Sequence, residues 1–230
     1  MLLGVFSLMF IFSCTTKEKK PLTEEERLWL RVDSVKMMAE DGDLITRFND
    51  NIVSHQVRFI NESDKSYSHA GIVQTVNNVK TVMHIDADIP GADTIKYEPL
   101  DSFINPVNNL ACGLFRYDLD PEEKIRFIHE LNNYHAQQVH FDRIFVMATD
   151  SLLYCSEMIA KALRKATNNR ILIRTCHIPK PMVKMVHKYL EEKYPIELVA
   201  AENIFTVDNL YLMPHCKEII RFRLKQFPGQ

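Results

Sequence analysis

The sequence predicts an α+β fold in which helices pack on an antiparallel β-sheet or small barrel. Three observations carry this. Residues 68–76 and 79–86 are the two strongest strand patterns, and Asn77-Asn78 between them suits a two-residue type I′ turn, which makes them a hairpin. Near the middle of the chain, Cys155, Ile159, Ala162 and Ala166 recur at helical spacing, with Met158 and Leu163 widening the stripe, so this helix has one face to lay on a sheet. The 230-residue chain is 46% hydrophobic with only 6 Gly, a composition that buries a core and does not stay disordered.

The elements follow in order. Leu2 to Phe12 form an apolar run too short to cross a bilayer as a helix. It ends in Ile11-Phe12-Ser13-Cys14 before polar residues, an order that resembles a bacterial lipoprotein signal and implies lipidation of Cys14. Residues 1–13 then read as signal peptide, 14–22 as tether and 23–230 as the folded domain. Thr23 with Glu26 three residues on opens a helix to about Ala39. Asp41-Gly42-Asp43 is a structural turn, Leu44 to Arg47 a short strand, and 49–60 a helix with apolar Ile52, Val53, Val57 and Ile60. The hairpin comes next, then a loop over 87–98 and a helical turn from Pro99 to Ile104. Cys112 to Leu119 alternates as a strand, and Asp120 caps a helix with Pro121 at its first position, running to about Val139. Asp150-Ser151 is expected to cap the cysteine helix, Pro179 and Pro181 precede a helix over 182–193, and Glu218 to Leu224 is the last strand.

The hairpin register places Gly71 opposite His84 and His69 opposite Asp86, all on one face. Gly71, without a side chain, leaves room for His84 to lean toward His69. Cys155 sits in the first turn of its helix, where unpaired N–H groups and the helix dipole favour the thiolate. If the helix packs on this hairpin, the thiol meets His69, and a Cys–His pair is the minimum equipment for acyl transfer. The backbone N–H of Cys155 is a candidate oxyanion donor, and Tyr154 a candidate site-lining residue.

Gly42-Asp43-Leu44-Ile45, Tyr67-Ser68-His69-Ala70-Gly71-Ile72-Val73 and Tyr154-Cys155-Ser156-Glu157, in this order, resemble the circularly permuted branch of the NlpC-type papain-like cysteine hydrolases, the YiiX/YaeF-like amidases. In ordinary members the cysteine precedes the histidine; here the histidine comes first, as in the permuted branch. The resemblance implies a permuted papain-like fold, Cys155 as nucleophile, His69 as base and a third polar residue on the following strand. His84 matches that position; relatives often carry a carboxylate there, which keeps Asp86 as the alternative. The implied substrate is an amide, either in a cell-wall peptide or in an N-acyl or lipid-linked amide.

Other classes are weaker. A net charge of −2, with no basic run after the first 20 residues, argues against nucleic acid. No cofactor is expected. Histidines 129, 135 and 140 do not share a helical face, and no metal is expected. The cysteines show no CxxC spacing; Cys155 is expected free, and a Cys176–Cys216 bridge is one option in an exported chain. The stripe of Met182, Val183, Met185, Val186, Tyr189 and Leu190 reads as core before it reads as a lipid contact. The expected protein is an envelope cysteine hydrolase, membrane-anchored through Cys14. The competing readings are a lipid-directed acyltransferase and a binding module that has lost turnover.

Overall fold

A computed structural model describes residues 20–87, 93–143, 145, 147, 150–189 and 203–225. The signal-peptide and lipidation expectations, with Cys14, lie outside these residues, as does Leu190.

Thr23 caps α1 (Glu24–Met38) by a full capping box with Glu26. The chain then turns at Gly42, whose φ of +89° favours glycine, and enters β1 (Leu44–Asn49). Asp43 holds the turn by accepting from the Glu40 N–H and from Arg116 Nε and Nη2, so Gly42-Asp43 is the structural turn expected. A short α2 (Ile52–Val57) leads to the hairpin of β2 (His69–Val76) and β3 (Val79–His84). Asn77 and Asn78 both have positive φ, as a type I′ turn demands. The observed register, from Val76↔Val79 to Ile72↔Met83, is the one read from sequence. Next come β4 (Lys96–Pro99), α3 (Leu100–Phe103), β5 (Asn109–Tyr117) and α4 (Pro121–Ala136), the last with the expected Asp120 cap. A two-residue pair, β6 (His140–Phe141) and β7 (Leu152–Leu153), runs into α5 (Cys155–Ala166). Then follow β8 (Cys176–His177), α6 (Lys180–Tyr189), β9 (Asn203–Ile204) and β10 (Cys216–Arg223).

The main sheet has six strands in the order β10-β5-β1-β2-β3-β4, every neighbour antiparallel. Helices cover both faces. Ala70, Ile72 and Met83 pack with α4 and α5 residues such as Phe127, Leu131, Ile159 and Ala162. Ile45, Val73 and Val82 pack on the other side with Val32 and Val35 of α1 and Phe103 of α3. A third cluster joins Tyr154 to Val183 and Val186 of α6 and to Ile204. The α6 stripe is therefore core where it is described.

Several expectations change. The 87–98 segment is not all loop, because its end pairs with β3 as β4. Within 49–60 only Ile52–Val57 is α-helix, and Ile52 and Val53 are exposed. Asp150-Ser151 do not cap α5: Leu152-Leu153 pair with His140-Phe141, so the helix starts at Cys155 with Tyr154 as its cap. Asp150 instead binds Lys161 and Lys165. Helix α6 begins at Lys180, with Pro181 inside its first turn, where a missing N–H costs nothing. Cys112, Cys155, Cys176 and Cys216 are all free thiols, so Cys176 and Cys216 form no bridge.

Candidate active site

The nucleophile candidate is placed by its neighbours in sequence. Glu157 Oε2 lies 3.4 Å from the Tyr154 N–H and ties the incoming loop to the first turn of α5. Tyr154 Oη accepts from the Phe205 N–H at 2.7 Å, and Ser156 Oγ donates to the Phe205 carbonyl at 2.7 Å. The two residues that flank Cys155 thus grip one peptide segment after β9. Tyr154 is buried and acts here through its hydroxyl, as a support for the helix start.

The histidine candidates are placed by the hairpin. Alternation puts His69, Gly71 and Val73 on one face of β2, and Val82 and His84 on the same face of β3. His69 Nε2 and His84 Nδ1 are 2.9 Å apart, hydrogen-bonded. A Cβ on Gly71 would stand 2.4 Å from Val82 Cγ1 and 3.1 Å from His84 Cβ, so only glycine lets the two strands and the His84 ring sit this close. Phe103 borders both rings, at 5.8 and 5.1 Å between centroids.

This face is not the one that α5 covers. The helix packs on Ala70 and Ile72, which point the other way. Cys155 meets the histidines at the end of the seam and not across a shared face. The β2–β3 pairing stops at Ile72↔Met83, and the N–H of Ala70, beyond that last pair, faces the Cys155 sulfur and favours its thiolate. The thiol thus lies against the residue next to His69. Among the described residues it makes no hydrogen bond to the His69 ring, whose Nε2 is already taken by His84. Nδ1 is the ring nitrogen left for the thiol.

Asp86 lies just past the end of β3, with its carboxylate within 4.8 Å of ring nitrogens of both His69 and His84. Its Oδ2 lies 3.6 Å from His84 Nδ1, 3.3 Å from Lys96 Nζ and 3.7 Å from Arg47 Nη2. His84 is hydrogen-bonded to the His69 ring, with the Asp86 carboxylate beside the pair. Sequence reasoning missed two further members of the cluster. Arg47 pairs in register with His69, stacks 4.1 Å over Phe103 and reaches Glu98 Oε2 at 3.3 Å. Glu98 Oε2 is also 3.1 Å from His84 Nε2, a close contact out of line with the ring N–H. Arg47 was findable once β1 was paired with β2. Glu98 lay hidden in a segment read as loop, though Lys96-Tyr97-Glu98 alternates.

Burial sets the protonation states. It pushes the Cys155 thiol up to about 11, and the N–H groups of Ala70 and Ser156 only partly offset it. The expected thiolate preference at the helix start is therefore overturned by desolvation. Burial, then the Arg47 charge and then His84, hold His69 well below its usual value of 6.5. His84 is likewise lowered by burial, against the Glu98 contact. The resting pair is a neutral thiol beside a neutral imidazole.

For metal binding, one donor set exists among the described residues: His69, His84 and Asp86, with ligand atoms within 4.8 Å of one another. Its only carboxylate already faces Lys96 and Arg47. A dication would meet two fixed positive charges in a largely buried place. The set does not fit a resident metal. Histidines 129, 135 and 140 make separate contacts, with Asn133, the Tyr97 ring and Asp93.

The comparisons agree with this architecture. The model of the Peptidase_C92 family, described as permuted papain-like amidase enzymes, YaeF/YiiX, matches residues 38–211. The chain belongs to this family. Among solved structures, the metalloprotein yiiX from Escherichia coli O157:H7 superposes with a TM-score of 0.62 at 19% identity, over 82% of this chain and 98% of that one. At that identity the likeness is one of fold. A search of curated proteins returns no match. Family membership makes this a permuted papain-like fold, with histidine strand before cysteine helix, and points to a cysteine hydrolase acting on amides.

Proposed function

We propose that this family member is a cell-envelope cysteine amidase in which Cys155 is the nucleophile, His69 the proton carrier and His84 the residue that orients His69. The observation that carries the reading is the His69–His84 hydrogen bond at the strand end where the Ala70 N–H meets the Cys155 sulfur. His69 Nδ1 takes the thiol proton as sulfur bonds to the amide carbonyl carbon, and the carbonyl electron pair moves to oxygen. The N–H of Cys155, at the start of α5 without a helical acceptor, is the oxyanion donor. The intermediate collapses, the C–N bond breaks, and His69 returns the proton to the leaving amine. Water, deprotonated by His69, then releases the acid and restores the thiol.

The substrate is an amide of a cell-wall peptide or an N-acyl or lipid-linked amide, and a lipidated Cys14 holds the enzyme at the membrane. Incubation with both substrate groups, with Cys155→Ala as blank, tests this: Cys155-dependent amine release is expected, and equal release from both proteins ends the proposal. Mass spectrometry of the mature N-terminus is expected to find an acylated Cys14; residues 2–13 still attached would refute anchoring.

A second reading has one observation in its favour. Cys155 and His69 are each only 9% exposed, as in a binding module without turnover; failure of both substrate groups to react would favour it. The neighbour's name as a metalloprotein does not alter the proposal, because the donor set here is opposed by two cations.

A further inference from the structure

We propose that Glu98, held by Arg47, is a positioning residue that fixes the tautomers of both histidines so that His69 presents a bare Nδ1 to the thiol. The inference rests on the cysteine amidase reading and extends it to a residue on β4.

A neutral imidazole has one N–H donor and one lone-pair acceptor. The 2.9 Å link between His69 Nε2 and His84 Nδ1 therefore contains one proton, and two arrangements can supply it. In the first, His84 carries its proton on Nε2 and accepts at Nδ1. His69 must then donate from Nε2, which leaves its Nδ1 unprotonated and basic. In the second, His84 donates from Nδ1, His69 accepts at Nε2, and His69 Nδ1 carries a proton. That ring cannot take one from Cys155.

What faces the far nitrogen of His84 decides between them. Glu98 Oε2 is 3.1 Å from it, a close contact off the line of the ring N–H, and a carboxylate oxygen that can only accept still disfavours a bare lone pair there. It favours Nε2–H and so the first arrangement. Asp86, 3.6 Å from Nδ1, pulls the other way, but it also faces Lys96 at 3.3 Å. Arg47 Nη1 lies 3.3 Å from Glu98 and is anchored by the Phe103 carbonyl at 3.2 Å. Burial pushes the Glu98 carboxyl up, yet His84 and Arg47 outweigh it and hold Glu98 below its usual range, hence ionised. His84 is fully buried, so water does not compete for its Nε2. When His69 takes the thiol proton, the charge that forms lies one ring away from the Glu98 carboxylate.

The test is nitrogen NMR on protein labelled with 15N-histidine, reading ring tautomers near pH 7.5. Assignment uses His69→Ala and His84→Ala. In the wild type, both rings are expected to carry the proton on Nε2. A proton on Nδ1 of either ring overturns the proposal without any Glu98 variant. Glu98→Ala is expected to move His69 to the Nδ1–H form, while Glu98→Gln, whose amide oxygen still accepts, keeps the wild-type pattern. Unchanged tautomers in Glu98→Ala also overturn it. The second readout is the nitrophenolate burst with p-nitrophenyl acetate. It should fall about tenfold or more in Glu98→Ala and be retained in Glu98→Gln. A wild type with the expected tautomers but no burst would sink the amidase reading and leave the tautomer assignment standing.

Discussion

Cys155 and His69 begin from neutral forms, and this has measurable consequences. An ordinary reactive cysteine is a thiolate near pH 7, whereas burial pushes this thiol up to about 11. Alkylation by iodoacetamide should therefore rise with pH toward an inflection near 11; an inflection near or below the ordinary thiol value would refute the neutral pair. His69 is held well below 6.5 by burial, and its unfolded counterpart titrates near 6.5. Below that value the unfolded chain binds the proton that the folded chain refuses, so stability falls as pH drops and levels off above it. His69→Asn, measured by thermal melts from pH 5 to 7.5, should lose part of that acid-side slope; an unchanged slope means the histidine is not buried neutral. None of this was visible in the sequence, because a residue's position in a helix reports its local dipole and not its solvent exposure.

At the scale of elements, the hairpin is the part most fully written in the chain. Asn77-Asn78 set the turn, the turn set the register, and the register put His84 beside His69. Gly71 is its critical position. Gly71→Ala drives a Cβ to 2.4 Å from Val82 Cγ1 and 2.9 Å from the Met83 carbonyl. Overpacking of this kind costs about 1–3 kcal/mol, or roughly 2–4 °C of melting temperature per kcal/mol for a chain of this size. Activity is expected to fall further than stability, because pushing Val82 and Met83 away displaces the strand end that carries His84; a variant with wild-type melting and turnover would contradict this. Helix α5 carries a second device. Glu157 is fully buried and its carboxyl is pushed by burial up to about 7, despite Lys161 2.9 Å away. A raised carboxyl stabilises the fold below its unfolded value of 4.5 and loses that contribution as pH rises through 7. Glu157→Gln should therefore melt higher than wild type at pH 8 and lose the advantage near pH 4.5. The sequence marked Glu157 only as part of a motif, since nothing local says that a charged residue will be buried.

For the whole molecule, the decisive fact is how the two helical layers divide the sheet. The α4–α5 layer covers one face, and α1 with α3 covers the face that bears His69, His84 and Arg47. The start of α5 reaches the histidine end of β2, where the β2–β3 pairing stops at Ile72↔Met83 and the Ala70 N–H faces the Cys155 sulfur. With the Asp86 carboxylate of the donor set already facing two cations, the site should work without metal. Dialysis against a chelator is expected to leave turnover unchanged, and loss restored by zinc would overturn that expectation. The chain by itself determined the α+β class, the hairpin and its register, the caps of α1 and α4, and the permuted order of histidine before cysteine. These follow from turn chemistry, capping and periodicity, which act over a few residues. Only the tertiary structure decided that the His84 ring is hydrogen-bonded to His69, that Arg47 and Glu98 join them, and that burial keeps the thiol protonated. Those outcomes depend on where strands separated by tens of residues end and on how much water they exclude, and neither is encoded in local spacing.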